Sequence, residues 1–171
     1  MRFLDIFKRK KSAGLAFWDV IALLDWEQTG DDEAVMQPAI EVLSKMSVDA
    51  IFAFDDELSE KLHALDTRAH CKACYLGDLD PDNGDDYISA DDFLYSRCVV
   101  VANGREFYEL VLRDPNEMPQ DMEFESLLFL AGSAFERKTG DAYDHSTNVD
   151  HESFKNVAGW AATTVQDRRL S

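Results

Sequence analysis

The hydrophobic residues recur at the three- and four-residue spacing of amphipathic helices. The longest run predicts a helix that follows Ser47, a residue type that caps helix N-termini. Its apolar stripe consists of Ala50/Ile51, Phe54, Leu58, Leu62 and Leu65. The opposite face is polar and is predicted to be solvated; it carries Asp55, Asp56, Glu60 and Lys61.

Two similar patterns precede this helix. Phe17, Val20, Ile21 and Leu24 mark one face of a helix that Gly30 ends. The acids of residues 31–33 suit the positive end of the dipole of a second helix. Pro38 lies inside that second segment and is expected to kink or restart the helix.

Further helices are predicted beyond residue 65. Three of them cover residues 66–76, 106–113 and 124–135. Another begins after the cap at Ser89 and ends at Asn103-Gly104. A last helix has its inward positions at Phe154, Val157, Ala158, Ala161 and Val165. Together these helices predict an all-α, single compact domain of about seven helices. In an alternative arrangement, the acidic loop at residues 77–88 divides two lobes.

Length and composition agree with one folded domain. The chain has 171 residues, of which 46% are hydrophobic and 11% aromatic, enough for a packed core. Its 34 acids against 17 bases give a formal charge of −17. This charge argues against a nucleic-acid binder that works through a basic face. No apolar run approaches the roughly 20 residues of a membrane span.

Residues 1–11 differ from the remainder, residues 12–171. They contain five of the 17 bases and one acid, and they are interpreted as a flexible, solvated leader. In the alternative, Phe3, Leu4, Ile6 and Phe7 anchor the chain at a lipid surface. A secretory signal places its charge before the apolar stretch, and here the order is reversed. With three cysteines, this indicates a cytoplasmic protein.

Acidic residues are the first candidate site. Seven acids and no lysine or arginine lie between Asp78 and Asp92. The predicted partner-binding residues are Asp78, Asp80, Asp82, Asp85 and Asp86, with a second stretch at Glu117, Asp121, Glu123 and Glu125. A calcium loop of the EF-hand type needs Gly at its sixth position and Glu at its twelfth, where this chain has Asn83 and Ser89. The prediction is therefore a surface for a basic protein partner.

Histidine and cysteine clusters leave metal chemistry open. One cluster is His63, His70, Cys71 and Cys74, and another is Asp144, His145, Ser146, Asp150, His151 and Glu152. A single pair of cysteines two residues apart is a weak zinc signature. The second cluster lacks the nucleophile elbow of a hydrolase. We therefore predict no metal, no cofactor and no catalytic residue.

A motif in residues 91–115 resembles the signature of the bacterial domain-of-unknown-function 4240 family. It comprises Asp91, Phe93, Arg97, Val100-Val101, Gly104-Arg105, Tyr108 and Asp114-Pro115, with Asp92, Ser96 and Val99 where the family has Gly, Phe and Trp. The resemblance covers roughly residues 17–115 and implies a mostly helical bacterial domain, with no activity to carry over. For Arg97 we expect an ion pair with Asp91 or another acid. The alternative is an anion pocket formed by Arg97, Arg105 and Tyr108.

The functional hypothesis is a non-enzymatic acidic binding protein. A small acidic protein with a short basic leader also resembles the immunity proteins of bacterial toxin systems, which would block a basic toxin by direct binding. Two alternatives remain: an enzyme or small-ligand domain that uses the Arg97 pocket or a metal near His145 and His151, and a membrane-peripheral adaptor that uses residues 1–11.

Overall fold

The structure is a computed structural model that describes residues 16–82, 84 and 86–161. This part contains eight α-helices: α1 Phe17–Ile21, α2 Asp32–Ser44, α3 Val48–Leu65, α4 Arg68–Ala73, α5 Ala90–Ala102, α6 Arg105–Arg113, α7 Leu130–Thr139 and α8 Val157–Trp160. Three 3-10 turns join them, at Trp26–Gln28, Pro115–Glu117 and Glu125–Phe129. No strand occurs in the described ranges, and the all-α prediction is confirmed.

Helix α3 forms the centre of the bundle. The Ser47 hydroxyl accepts a hydrogen bond from the backbone N–H of Ala50, as predicted. The stripe from Ile51 to Leu65 is buried against α5 and α7. The opposite face is solvated only in part: Glu60 is exposed as expected, but Asp55 is only 8% exposed. Residues far along the chain cover this face and supply hydrogen-bond donors to it.

Helix α2 packs along α7 and continues through Pro38 without a restart. Asp31 caps it by accepting a hydrogen bond from the N–H of Ala34. Both the restart predicted at Pro38 and a separate lobe beyond the acidic loop are absent from the described residues. One hydrophobic cluster runs from Phe17 to Ala134 and includes residues on both sides of that loop.

Helices α5 and α6 follow the predicted signals closely. Ser89 accepts a hydrogen bond from the N–H of Asp92 and caps α5. Gly104, with φ at 92°, makes the sharp connection to α6 in a conformation that side chains disfavour. Asp114 ends α6 and its side chain caps the following turn at Pro115–Glu117. Within the described part of the chain, no helix is both long and apolar enough to cross a membrane.

The C-terminal part forms an extended strap, which we define as residues 143–160. The predicted last helix is largely wrong. Among the described residues of this segment, up to residue 161, only the four of α8 are helical, Phe154 is 46% exposed and Val157 is 81% exposed. The physical reason is that Asp66 accepts hydrogen bonds from the N–H groups of residues 154–156, which fixes a loop there. Val165 and the leader at residues 1–11 lie outside the described residues.

Candidate functional site

Both predicted acidic stretches meet at one cavity of about 260 Å³, which we call the acidic cleft. Its lining includes four carboxylates, from Asp78, Asp92, Asp121 and Glu123. The other lining residues are Cys74, Leu76, Tyr87, Ile88, Ser89, Ser96 and Met122. Stretches that lie about forty residues apart in sequence thus become the two walls of one site, with α5 between them.

The first wall is a compact loop between α4 and α5. The Asp80 carboxylate accepts a hydrogen bond from the N–H of Asp82 at 2.8 Å, and its backbone carbonyl accepts one from the N–H of Gly84. The N–H of Tyr87 donates to the carbonyl of Asp78 at 3.0 Å. Because these bonds close the loop on itself, Asp78 lies beside Tyr87 at the mouth of the cleft.

The second wall is held against α5. The hydroxyl of Ser96 donates to the carbonyl of Met122 at 3.1 Å, and the N–H of Phe124 donates to the carbonyl of Tyr95 at 3.3 Å. Asp121 adopts a left-handed conformation with φ at 53°, which aspartate tolerates better than most residues. The wall is therefore fixed to the bundle at two points around Met122.

Apolar side chains stand among the carboxylates at the cleft. Leu76 and Met122 are each 55% exposed, and Tyr87 is 48% exposed. Leu79, on the same loop, is also exposed. Large apolar side chains next to a concave surface are typical of places where another molecule binds.

Electrostatics at the cleft are uniformly negative. No lysine or arginine lines it. Among the described residues, none of the four lining carboxylates forms an ion pair. Carboxylates that line one cavity without a cation attract cationic groups to it.

Of the remaining predicted acids, those that the structure describes lie outside the cleft lining. Glu117 is exposed on the turn after α6, and Asp82 and Asp86 are exposed on the acidic loop. Glu125 accepts a hydrogen bond from the hydroxyl of Tyr95, which raises the pKa of that tyrosine to about 12. Asp85 is outside the described residues.

Arg97 does not form the expected ion pair with Asp91 or another described acid. Its side chain is fully buried, and it donates through Nη1 to the carbonyls of Leu62 and His151 and through Nη2 to the hydroxyl of Ser153. Nε has no hydrogen-bond partner among the described residues. The guanidinium lies 4.7 Å from the ring centre of Phe93. Burial lowers the pKa of Arg97.

Arg105 and Tyr108 have other partners than Arg97. Arg105 is exposed and forms an ion pair with Glu109 at 2.7 Å. Tyr108 is buried, and its hydroxyl donates to the carbonyl of Lys61 at 3.3 Å. Neither the acidic cleft nor two further cavities of the described residues contain any of these side chains. The structure therefore does not bring the proposed anion-binding trio together at a described cavity.

The cysteines are buried free thiols in the described core. Burial raises the pKa of Cys71 and Cys98 to about 12 and that of Cys74 to about 11. Thiols with such pKa values are weak nucleophiles at neutral pH. His70 is also buried, and its Nε2 lies 3.0 Å from the carbonyl of Val111.

The other histidines bind the strap to α3. His145 pairs with Asp56 at 2.9 Å and stacks on Phe52, while His151 hydrogen-bonds with Ser59. His63 donates through Nδ1 to the carbonyl of Asp150 at 2.7 Å. Within the described ranges, no group of three or more His, Cys, Asp or Glu residues is placed to hold a metal ion.

A second polar site was not predicted, and we call it the strap groove. It is the surface of α3 and α5 beneath the strap, and its main polar groups are Asp55, Asp56, Asp66 and Arg97. The Asp66 carboxylate is completely buried and accepts four hydrogen bonds at 2.7–3.0 Å, from the N–H groups of Phe154, Lys155 and Asn156 and from the indole of Trp160.

At the other end of the groove, the hydroxyl of Tyr143 donates to Asp55 at 2.8 Å. Burial raises the pKa of Asp55. Asp56 accepts a hydrogen bond from the N–H of Asn148. These contacts join residues about ninety positions apart, so no local pattern in the sequence could have indicated them.

Comparison with known proteins agrees with the resemblance seen in the sequence. No curated protein and no solved structure matches the chain. The family model described as "Protein of unknown function (DUF4240)" matches residues 15–137, beyond the range of 17–115 that the motif indicated. The match includes both walls of the acidic cleft and the residues of the strap groove, and it covers well over half of the chain. The chain belongs to the DUF4240 family.

Proposed function

We propose that this protein acts by binding, without catalysis, and that it holds a basic segment of a partner protein in the acidic cleft. The observation that carries the proposal is the meeting of two separate acidic stretches at one cavity. Four carboxylates line this cavity beside exposed leucine, methionine and tyrosine side chains.

The chemistry of the cleft defines the partner. Lysine or arginine side chains would neutralise carboxylates that have no cationic partner among the described residues. An apolar side chain between those bases would cover Leu76 and Met122. A formal charge of −17 would also speed the approach of a basic protein, and this effect weakens as salt is added. The fitting partner segment is therefore basic and amphipathic.

In finer terms, we propose that the partner is a toxin and that this chain is its immunity protein. An acidic protein that covers a basic surface prevents that surface from reaching a nucleic acid or another anionic substrate. The strong acidity of the chain and the open, carboxylate-lined cleft support this role. It requires no reaction at the buried thiols or at Arg97.

The test uses a labelled synthetic peptide with lysine and leucine on opposite helix faces, and its counterpart with glutamate in place of lysine. Fluorescence anisotropy at low salt should detect binding of the basic peptide and none of the acidic one. The double variant Asp121→Asn/Glu123→Gln should bind the basic peptide about tenfold more weakly, since two cleft charges are lost.

The matched control is Glu27→Gln/Glu136→Gln, which removes the same charge from exposed positions outside the cleft lining. It should bind almost as the unmodified protein does. If both double variants weaken binding equally, the peptide responds only to net charge, and the cleft is not the binding site.

A further inference from the structure

We propose that the strap groove is a peptide-binding site and that the strap is its built-in ligand. A separate peptide with the strap's chemistry would take the same place when the strap lifts. This inference concerns a different surface from the acidic cleft and does not depend on the function proposed for that cleft.

The groove and its occupant differ in their relation to the family domain. The polar groups of the groove, from Asp55 to Arg97, lie inside the matched range 15–137. The strap, at residues 143–160, lies beyond it. The matched domain thus contains a fully buried carboxylate, Asp66, and every hydrogen bond described for this carboxylate comes from outside the matched range.

The groove binds the strap mainly through its backbone. Asp66 accepts hydrogen bonds from three successive N–H groups, at 2.7–3.0 Å. Arg97 donates to the carbonyl of His151, and His63 donates to that of Asp150. Since every peptide has these backbone groups, such contacts recognise a loop conformation more than a particular sequence.

Side chains at the end of the strap add selectivity. The indole of Trp160 donates to Asp66 and packs edge-on against Phe154. Asn156 accepts a hydrogen bond from the N–H of Gly159. A Cβ atom at Gly159 would lie 2.8 Å from the carbonyl of Asp66 and 2.8 Å from Cγ2 of Thr67. The fitting ligand is a peptide loop followed by one helical turn, with glycine and then an aromatic residue at its end.

The strap also has the features of a segment that opens separately from the bundle. Phe154 has φ at 70°, a strained conformation for a bulky residue, and its side chain is 46% exposed. Val157 is 81% exposed, and α8 has only four residues. Tyr143 and Trp160 pack against the core, but the stretch between them has an exposed apolar side chain and local strain, which are typical of segments that detach by local opening.

Hydrogen exchange on the full chain tests the opening. The amides of residues 154–156 are bonded to Asp66, while those of α5 are bonded within the core. We expect the strap amides to exchange at least about 100-fold faster than the α5 core amides, through local opening. Equal exchange rates would show that the strap leaves only when the whole protein unfolds, and would overturn the proposal.

Uptake of a peptide tests the binding site. The probe is a fluorescent peptide with the sequence of residues 143–160, added to the full chain. In Gly159→Ala the new methyl group would lie 2.8 Å from the carbonyl of Asp66, so we expect the end of the resident strap to leave its place. The probe should therefore bind at least about tenfold more tightly than to the unmodified protein, in which the intact strap competes. A probe that carries the same Gly→Ala change should not bind.

The control is Val157→Ala, on the same turn of the strap but exposed. It should leave both exchange and peptide binding unchanged. The proposal fails if folded Gly159→Ala takes up no probe. It also fails if Gly159→Ala loses its helical circular dichroism, since the strap would then be an inseparable part of the fold.

Discussion

The acidic cleft and the strap groove both place carboxylates next to apolar side chains, but they differ in hydration and in partners. In the cleft, Asp121 and Glu123 are exposed, and no ion pair is described for them. In the groove, Asp66 and Arg97 are fully buried and bonded to the strap. A charged group that stays hydrated in the folded protein destabilises it little, and it is available to a partner. A buried charge is stable only while its hydrogen bonds persist.

This difference explains why the number of acids in a stretch is a poor guide to their importance for stability. More carboxylates line the cleft than the groove. Yet the carboxylate that accepts four hydrogen bonds, that of Asp66, lies in the groove. Substitutions in the groove should therefore change stability, and those in the cleft should change binding.

The largest expected effect comes from Asp66→Asn. The new amide group would place an N–H donor against the N–H groups of Lys155 and Asn156, so two part-buried donors lose their acceptor. We expect the free energy of unfolding to fall by about 3 kcal/mol, measured by urea denaturation. Asp78→Asn in the cleft is the matched control and should unfold at nearly the same urea concentration as the unmodified protein. Equal losses would remove the distinction between the two regions.

The next effect is expected from Arg97→Lys, which keeps the charge but loses the planar fork. A lysine ammonium cannot reach the carbonyls of Leu62 and His151 and the hydroxyl of Ser153 in the same geometry. We expect a loss of about 2 kcal/mol in the same denaturation experiment. Arg105→Lys, at an exposed ion pair, should show no measurable loss. If Arg97→Lys is as stable as the unmodified protein, the bonds to the strap are weak.

A smaller effect should appear as a pH dependence. Burial lowers the pKa of His70 below its ordinary value of 6.5, so the unfolded chain takes up a proton at a higher pH than the folded protein. His70 therefore contributes full stability above about pH 6.5, and this contribution falls as the pH drops through the folded-state pKa. We compare pH 7.5 with pH 5.5, about one unit on either side of 6.5. Over this range the free energy of unfolding of His70→Gln should fall less than that of the unmodified protein. An unchanged pH profile would contradict the burial of this ring.

The smallest expected effect on stability comes from neutralising the cleft. Asp121→Asn/Glu123→Gln removes two exposed charges that have no described ion pair. Its thermal unfolding midpoint should stay at that of the unmodified protein or rise slightly, because like-charge repulsion decreases. A clear drop in the midpoint would mean that the two carboxylates support the fold, which would weaken the case for a free binding surface.

The sequence alone determined most of the helical architecture, because its signals are local. The caps at Ser47 and Ser89 and the stop at Asp114-Pro115 act over three or four residues, and the stripe of α3 repeats with the helical period. The acidic character of the cleft residues could be read in the same way. The restart was the wrong one of the two alternatives at Pro38, since α2 continues through this residue.

Only the tertiary structure decided which charges are buried and which are open. Asp55 and Asp66 have the sequence surroundings of solvated residues, yet residues 143–160 cover them from about ninety positions away. The two acidic stretches meet because α5 and its neighbours bring them to one cavity. Helical periodicity determines which face of a helix is apolar, but long-range packing determines what covers the polar face. The sequence therefore predicted the helices, and their packing created both the cleft and the groove.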